Sequence, residues 1–256
     1  MLIVLSPAKR LDFTPADPAI PATERRFLED TAQLSRTAER QTRADLRRLM
    51  GISEALAELN QARFKAFDAA STDGVQAAFA FAGDVYEGLR ARDLNKDALT
   101  WAQDHLRILS GFYGLLRPLD QIQPYRLEMG VKLATRRGSS LYDFWGDRLS
   151  KQLNADADGQ ADPVVVNLAS QEYFGAVDAK ALTLPVITPH FREEKDGQSR
   201  IVSFHAKKAR GLMARFAIDQ RIERAEDLKA FNSAGYRFDA SASSQSDWVF
   251  TRPDTR

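Results

Sequence analysis

Two apolar stripes at helical spacing, only three residues apart, constrain this chain more than any other feature. Leu46, Leu49 and Met50 share one helical face, and Leu56, Leu59 and Phe64 share another, with Gly51-Ile52-Ser53 between them. A connection that short lets the stripes close on each other only as an antiparallel helical hairpin. Gly51 permits the reversal, because a residue without Cβ enters positive φ without steric cost and lets its neighbours' backbone approach a ligand. Ser53 stands where the second helix begins, so its hydroxyl caps that helix while the free amides and the positive dipole end point outward, a natural seat for an anion. Arg43, Arg47 and Arg48 on the first helix, with Arg63 and Lys65 on the second, add mobile cations beside those amides, which is what contact with a nucleic-acid backbone requires. The plainer alternative is a helical hairpin whose arginines are simply solvated.

The composition narrows the classes. At 256 residues and 44% hydrophobic content the chain can bury one large core, and no Pro/Gly/Ser-rich linker divides it, so a single domain over 1–256 is expected. The polar run from Asn154 to Pro163 reads as a surface loop. No run of about 18 apolar residues exists and the start lacks the layout of a signal peptide, which makes the cytoplasm the expected location. Zero cysteines remove disulfides, thiolate metal sites and thiol redox chemistry. His105, His190 and His205 stand too far apart for a metal-ligating pair, so neither a metal nor a cofactor is expected. The net charge is only +1, so a nucleic-acid partner needs cations segregated on one face. Such segregation is visible between Gly197 and Ile218, where Arg200, Lys207, Lys208, Arg210 and Arg215 occur without an Asp or Glu.

Short apolar runs interspersed irregularly with helical patterns indicate an α+β fold with a mixed, largely antiparallel sheet and surrounding helices. Strands are expected at Met1–Leu5, Val75–Phe81, Leu106–Leu109, Gly111–Leu116, Val164–Leu168, Leu184–Phe191, Arg200–His205, Tyr236–Asp239 and Trp248–Thr251. Helices are expected over most of Glu24–Arg48, after Gly83, over Ser140–Leu153 and over Ala206–Arg221, with the hairpin at about 43–66.

Four places collect groups capable of chemistry. The first strand ends by delivering Ser6, Lys9 and Arg10 to a surface. The segment Pro124–Lys132 gathers Tyr125, Arg126, Glu128 and Lys132; if extended, Tyr125, Leu127 and Met129 face one way and Arg126 can pair with Glu128. Asn167–Phe174 follows a buried strand, so Ser170 and Glu172 emerge where sites often form, although Ser170 serves equally as a helix cap. His205–Arg215 opens a late helix with Lys207, Lys208 and Arg210 near its positive dipole end, an arrangement that asks for a compensating anion. Walker, dinucleotide, Gly-x-Ser-x-Gly and zinc signatures are absent from the sequence.

The hairpin resembles the helix-hairpin-helix element of DNA repair proteins, with Ser53 where such hairpins usually carry a second glycine. Ser6-Pro-Ala-Lys9, Leu106–Asp120, Pro124–Gly130, Asn167–Tyr173 and Ala206–Arg215 together resemble the YaaA family of bacterial peroxide stress proteins over essentially the whole chain. The resemblance implies that family's α/β arrangement with a positively charged cleft. It also implies double-stranded DNA binding in the peroxide response, linked to repair and recombination and to keeping free iron low. On this reading Gly51, Ser53, Arg47 and Arg48 clamp the backbone of duplex DNA, while Lys9, Arg126, Lys132, Lys207, Lys208 and Arg210 line the cleft. The competing expectation is an enzyme acting on damaged or modified nucleic acid, or on a nucleotide, with Tyr125, Glu128, Glu172, His205 and Lys207 converging in that cleft.

Overall fold

Residues 1–5 are all apolar, and a strand of that kind needs cover on both faces. The computed structural model, which describes residues 1–15, 20–195 and 198–253, places this run at the centre of an eight-stranded sheet. In chain order the strands are β1 (Leu2–Leu5), β2 (Leu106–Ser110), β3 (Gly114–Leu116), β4 (Val165–Asn167), β5 (Val186–Lys195), β6 (Gln198–Arg200), β7 (Arg237–Asp239) and β8 (Asp247–Pro253). Their spatial order is β7-β8-β5-β4-β1-β2-β3, with β6 pairing β5. Every residue of β1 is fully buried, as are Ile108 and Leu109 of β2 and Val165 and Val166 of β4.

The α+β class and the mixed sheet agree with the sequence reading, but the sheet is not largely antiparallel. The pairs β8/β5, β5/β4, β4/β1 and β1/β2 are parallel; only β7/β8, β2/β3 and β5/β6 are antiparallel. The cause is burial. Strands covered on both faces are continuous apolar runs and favour parallel pairing through helical crossovers, and here the crossovers are so uneven in length that no βαβ rhythm shows in the sequence. From β1 the chain passes to β2 on one side. It later returns past β1 to β4 on the other side and continues outward to β5. That reversal leaves a crevice beyond the C-terminal ends of β1 and β4.

The helices around the sheet include α1 (Leu28–Glu39), α2 (Arg43–Met50), α3 (Glu54–Ala66), α4 (Asp84–Leu89), α5 (Lys96–His105), α6 (Leu141–Trp145), α7 (Arg148–Asp156), α8 (Gln171–Phe174) and α9 (Ser203–Gln220). The pair α2/α3 is joined by Gly51, at φ +61 as the left-handed C-cap of α2, and by Ser53, whose hydroxyl accepts from the Leu56 amide. Thr42 and Asp45 form a reciprocal capping box at the start of α2.

Two expected strands fail for local reasons. The run Val75–Phe81 is strand only at Val75–Gln76 and Phe81–Ala82, because Ala77–Ala80 makes a helical turn; its three alanines favour helix over sheet. The expected strand Arg200–His205 keeps only Arg200 in β6, since α9 already begins at Ser203. The β-branched pair Ile201-Val202, which suggested a strand, lies in the connection. The expected helix over Ser140–Leu153 is two helices, α6 and α7, parted at Gly146 (φ +50).

One contact seats α9 over the crevice. A Cβ on Gly211 would stand 1.7 Å from the Val85 carbonyl oxygen, and one on Gly88 would stand 2.3 Å from the Lys208 carbonyl oxygen. Helices α4 and α9 therefore meet backbone to backbone, which fixes the height at which Lys207 and Arg210 overlook the ends of β1 and β4.

Candidate functional site

The crevice encloses a cavity of about 430 Å³. Ser6, the first residue after β1, accepts a hydrogen bond from the Ser170 amide at 2.8 Å, and the two hydroxyls lie 3.3 Å apart. Ser170 also caps α8, accepting from the Tyr173 amide at 3.4 Å. Tyr86, on α4, donates to the Ser6 carbonyl at 2.9 Å. These bonds tie the ends of the two parallel strands together and turn Ser6–Arg10 along the cavity wall. Lys207 and Arg210, one turn apart on α9, close the opposite side, and Lys9, Tyr173 and Glu172 complete the rim.

The electrostatics are uneven. Lys9 lies 3.4 Å from Glu128 Oε1, an oxygen that also receives both Nε (3.1 Å) and a terminal nitrogen (3.0 Å) of Arg126. Glu128 Oε2 is buried without a hydrogen-bond partner among the described residues. Arg10 is engaged by Glu87 at 3.2 Å, and Glu172 accepts from the Gly130 amide at 3.0 Å. Lys207, Lys208 and Arg210, by contrast, have no carboxylate partner among the described residues. Arg210 is partly buried as well, and desolvation pushes its guanidinium below the ordinary value. A cation half removed from water and left without a counter-charge is costly, and an anion entering the cavity would relieve that cost. The first turn of α9 carries no acid, and its N-cap, Val202, offers no side-chain bond, so the positive end of the dipole adds to the same field.

The sequence-expected residues divide into groups. Lys9, Glu172, Lys207 and Arg210 share the cavity, and Glu128 with Arg126 stands just behind Lys9. Lys208 is exposed beside them on α9, and Lys132 is exposed on a separate loop. The hairpin residues do not line the cavity. Its bend is open, with Gly51 exposed and free space where a Cβ would be, but each arginine of α2 faces a carboxylate: Arg43 meets Glu58 (3.0 Å), Arg47 meets Glu54 (2.9 Å) and Arg48 meets Asp45 (2.7 Å).

Tyr125 is buried in an aromatic cluster with Phe112 and Tyr113. Its hydroxyl lies 2.7 Å from Ser110 Oγ, and burial raises the phenol well above its ordinary pKa. His205 turns to another partner, with Nδ1 2.5 Å from Oε1 of the buried Glu193, which also binds Arg252. Tyr86 and the Glu193–Arg252 pair were not foreseen. Only the fold joins Tyr86 to Ser6, or β5 to β8, and no local spacing announces either. No group of three or more His, Asp or Glu side chains suited to a metal occurs among the described residues, and no described helix is long and apolar enough to cross a membrane.

Comparison with known proteins covers nearly the whole chain. Residues 1–242 match the family model described as peroxide stress protein YaaA. A UPF0246 protein of Phenylobacterium zucineum is 62% identical over 253 residues, which is 99% of this chain and 95% of the relative. A UPF0246 protein of Caulobacter vibrioides is 60% identical over 253 residues, 99% of each chain, and one of Paracidovorax citrulli is 53% identical over 257 residues, again 99% of each.

Proposed function

Because the chain belongs to the YaaA family of peroxide stress proteins, we propose that it acts in that response by binding the phosphate backbone of double-stranded DNA, with α9 as the principal contact and repair or recombination as the setting. One observation carries the reading: Lys207, Lys208 and Arg210 lie within four residues of one helix and have no carboxylate partner among the described residues, in a chain whose net charge is only +1. The three arginines on the first helix of the hairpin, by contrast, are each paired with a carboxylate. Unpaired cations clustered on one face are what counterion release from a duplex needs. Phe204 and Ile201, both more than half exposed just ahead of these cations, supply apolar surface for a sugar or base edge. The arginines beside Gly51 reach phosphate only by exchanging a carboxylate for it, so the hairpin serves as an auxiliary contact.

Titration of a labelled duplex at several salt concentrations tests this. Replacing Lys207, Lys208 and Arg210 together by Gln lowers the log–log salt slope by about 2–3 units and weakens binding at every salt. Replacing Arg47 and Arg48 by Ala changes the slope by less than one unit. A triple variant with the slope and affinity of the wild type overturns the proposal.

A further inference from the structure

The cavity between the ends of β1 and β4 is too small for a duplex, yet its volume of about 430 Å³ falls in the range of small-molecule pockets. Its position is the one that an open sheet reserves for ligands, beyond the carboxyl ends of adjacent parallel strands where the strand order reverses. We propose that it is a nucleotide pocket that takes one nucleoside monophosphate unit, either free or extruded from a strand, with the phosphate on Arg210, Lys207 and Lys9 and the base on the apolar wall.

Three features specify that ligand. The walls are mostly apolar, with Pro7, Val85, Tyr86 and Tyr173 among the lining residues, which suits a flat heterocycle and leaves bare phosphate poorly held. Lys207 and Arg210, one turn apart on α9, line the cavity without a carboxylate partner among the described residues, so the ligand has an anionic end. Four cations (Lys9, Arg10, Lys207 and Arg210) and two carboxylates (Asp84 and Glu172) line the cavity, and this small positive excess matches one phosphate and not a triphosphate. The two carboxylates and the Ser6 and Ser170 hydroxyls are within the same lining and serve exocyclic amines and sugar hydroxyls. The pocket shares Lys207 and Arg210 with the backbone contact proposed above, whereas Lys208 belongs to that contact alone.

Isothermal titration of the full-length protein with deoxyadenosine monophosphate, thymidine monophosphate, adenosine and inorganic phosphate tests the assignment. One saturable site is expected, with the nucleoside monophosphates at least tenfold tighter than either adenosine or phosphate alone. Arg210→Gln weakens that binding at least tenfold, whereas Lys208→Gln, outside the cavity, leaves it unchanged. Lys207→Gln, at an exposed position, provides the same reading should the Arg210 variant fail to fold. Absence of saturable nucleotide binding overturns the proposal, as does inorganic phosphate binding equally tightly, or wild-type affinity in both cavity variants. The source follows from a bubble-containing duplex carrying 2-aminopurine: displacement of its fluorescence change by free deoxyadenosine monophosphate identifies an extruded base, and independent binding identifies a free nucleotide. Loss of all duplex binding with nucleotide binding retained refutes the backbone reading alone.

Discussion

Replacing Gly211 by Ala sets two physical effects against each other. Glycine inside a helix costs about 1 kcal/mol relative to alanine, so propensity alone makes Gly211→Ala stabilising. The geometry predicts the opposite. The new Cβ would lie 1.7 Å from the Val85 carbonyl oxygen, 2.8 Å from its carbon and 2.9 Å from the Leu89 amide nitrogen. All three neighbours are backbone, so no rotamer change relieves the clash. Reaching even a 3.0 Å separation requires α4 and α9 to part by 1.3 Å along the first of these contacts, and a gap of about 0.5–1 Å already forfeits a quarter to a half of each dispersion contact nearby. Tyr86, Leu89, Ala209 and Met213 are buried along these two helices. Overpacking of this kind costs up to about 3 kcal/mol, which leaves a net loss of about 2 kcal/mol after the propensity gain. For a domain this size that corresponds to a melting temperature lower by about 4–8 °C. Thermal and urea denaturation measure it, and because the shift moves Lys207 and Arg210, duplex affinity should fall with stability. A Gly211→Ala protein as stable as the wild type, or more stable, would refute the claim that α9 is seated by backbone contact.

Further tests address the rest of the fold. Gly51→Ala meets no atom within 4 Å but must keep φ near +61, so denaturant unfolding should show a loss of about 1 kcal/mol from backbone strain alone. Burial works to raise the Asp156 carboxyl, but the guanidinium of Arg107 at 2.5 Å, together with Arg26, outweighs it and holds the pKa below the ordinary 3.8. Its stabilisation is therefore present above pH 3.8 and lost as pH falls through the lower folded-state value. Asp156→Asn leaves the buried Arg107 without its counter-charge and should cost about 3–5 kcal/mol at neutral pH. Burial lowers the His105 imidazole below 6.5, and its Nδ1 lies 3.0 Å from the Met1 carbonyl. The unfolded chain then takes up the proton first, so stability declines as pH drops below 6.5, and His105→Gln should flatten that part of the pH–stability curve.

Much of this architecture was legible in the residues. The bend between the two helices was legible because Gly51 and Ser53 are residues that end one helix and cap the next, and both do so here, but the second apolar stripe was misplaced: Leu56 and Leu59 are exposed, and Ala57, Asn60 and Phe64 are the buried residues of α3. The burial of Leu127 and Met129 and the Arg126–Glu128 pair follow the alternation of an extended segment. Parallel pairing at the centre was not legible, since it depends on which distant run lies beside β1, and the helices between these runs follow no fixed period. The cavity was half legible. Ser6, Lys9, Ser170 and Lys207 stood out because each follows a buried strand or opens a helix, whereas Tyr86 enters only through the packing of α4 on α9. Tyr125 and His205 were drawn into the expected site by their chemistry, but burial claims the first for the aromatic core and Glu193 claims the second.

Lysine acetylation footprinting, with and without a short duplex, tests most directly whether α9 is the surface that meets DNA. The account predicts that Lys207 and Lys208 become protected by DNA while the exposed Lys180 reacts equally in both states. Equal reactivity of Lys207 and Lys208 with and without bound duplex would contradict it.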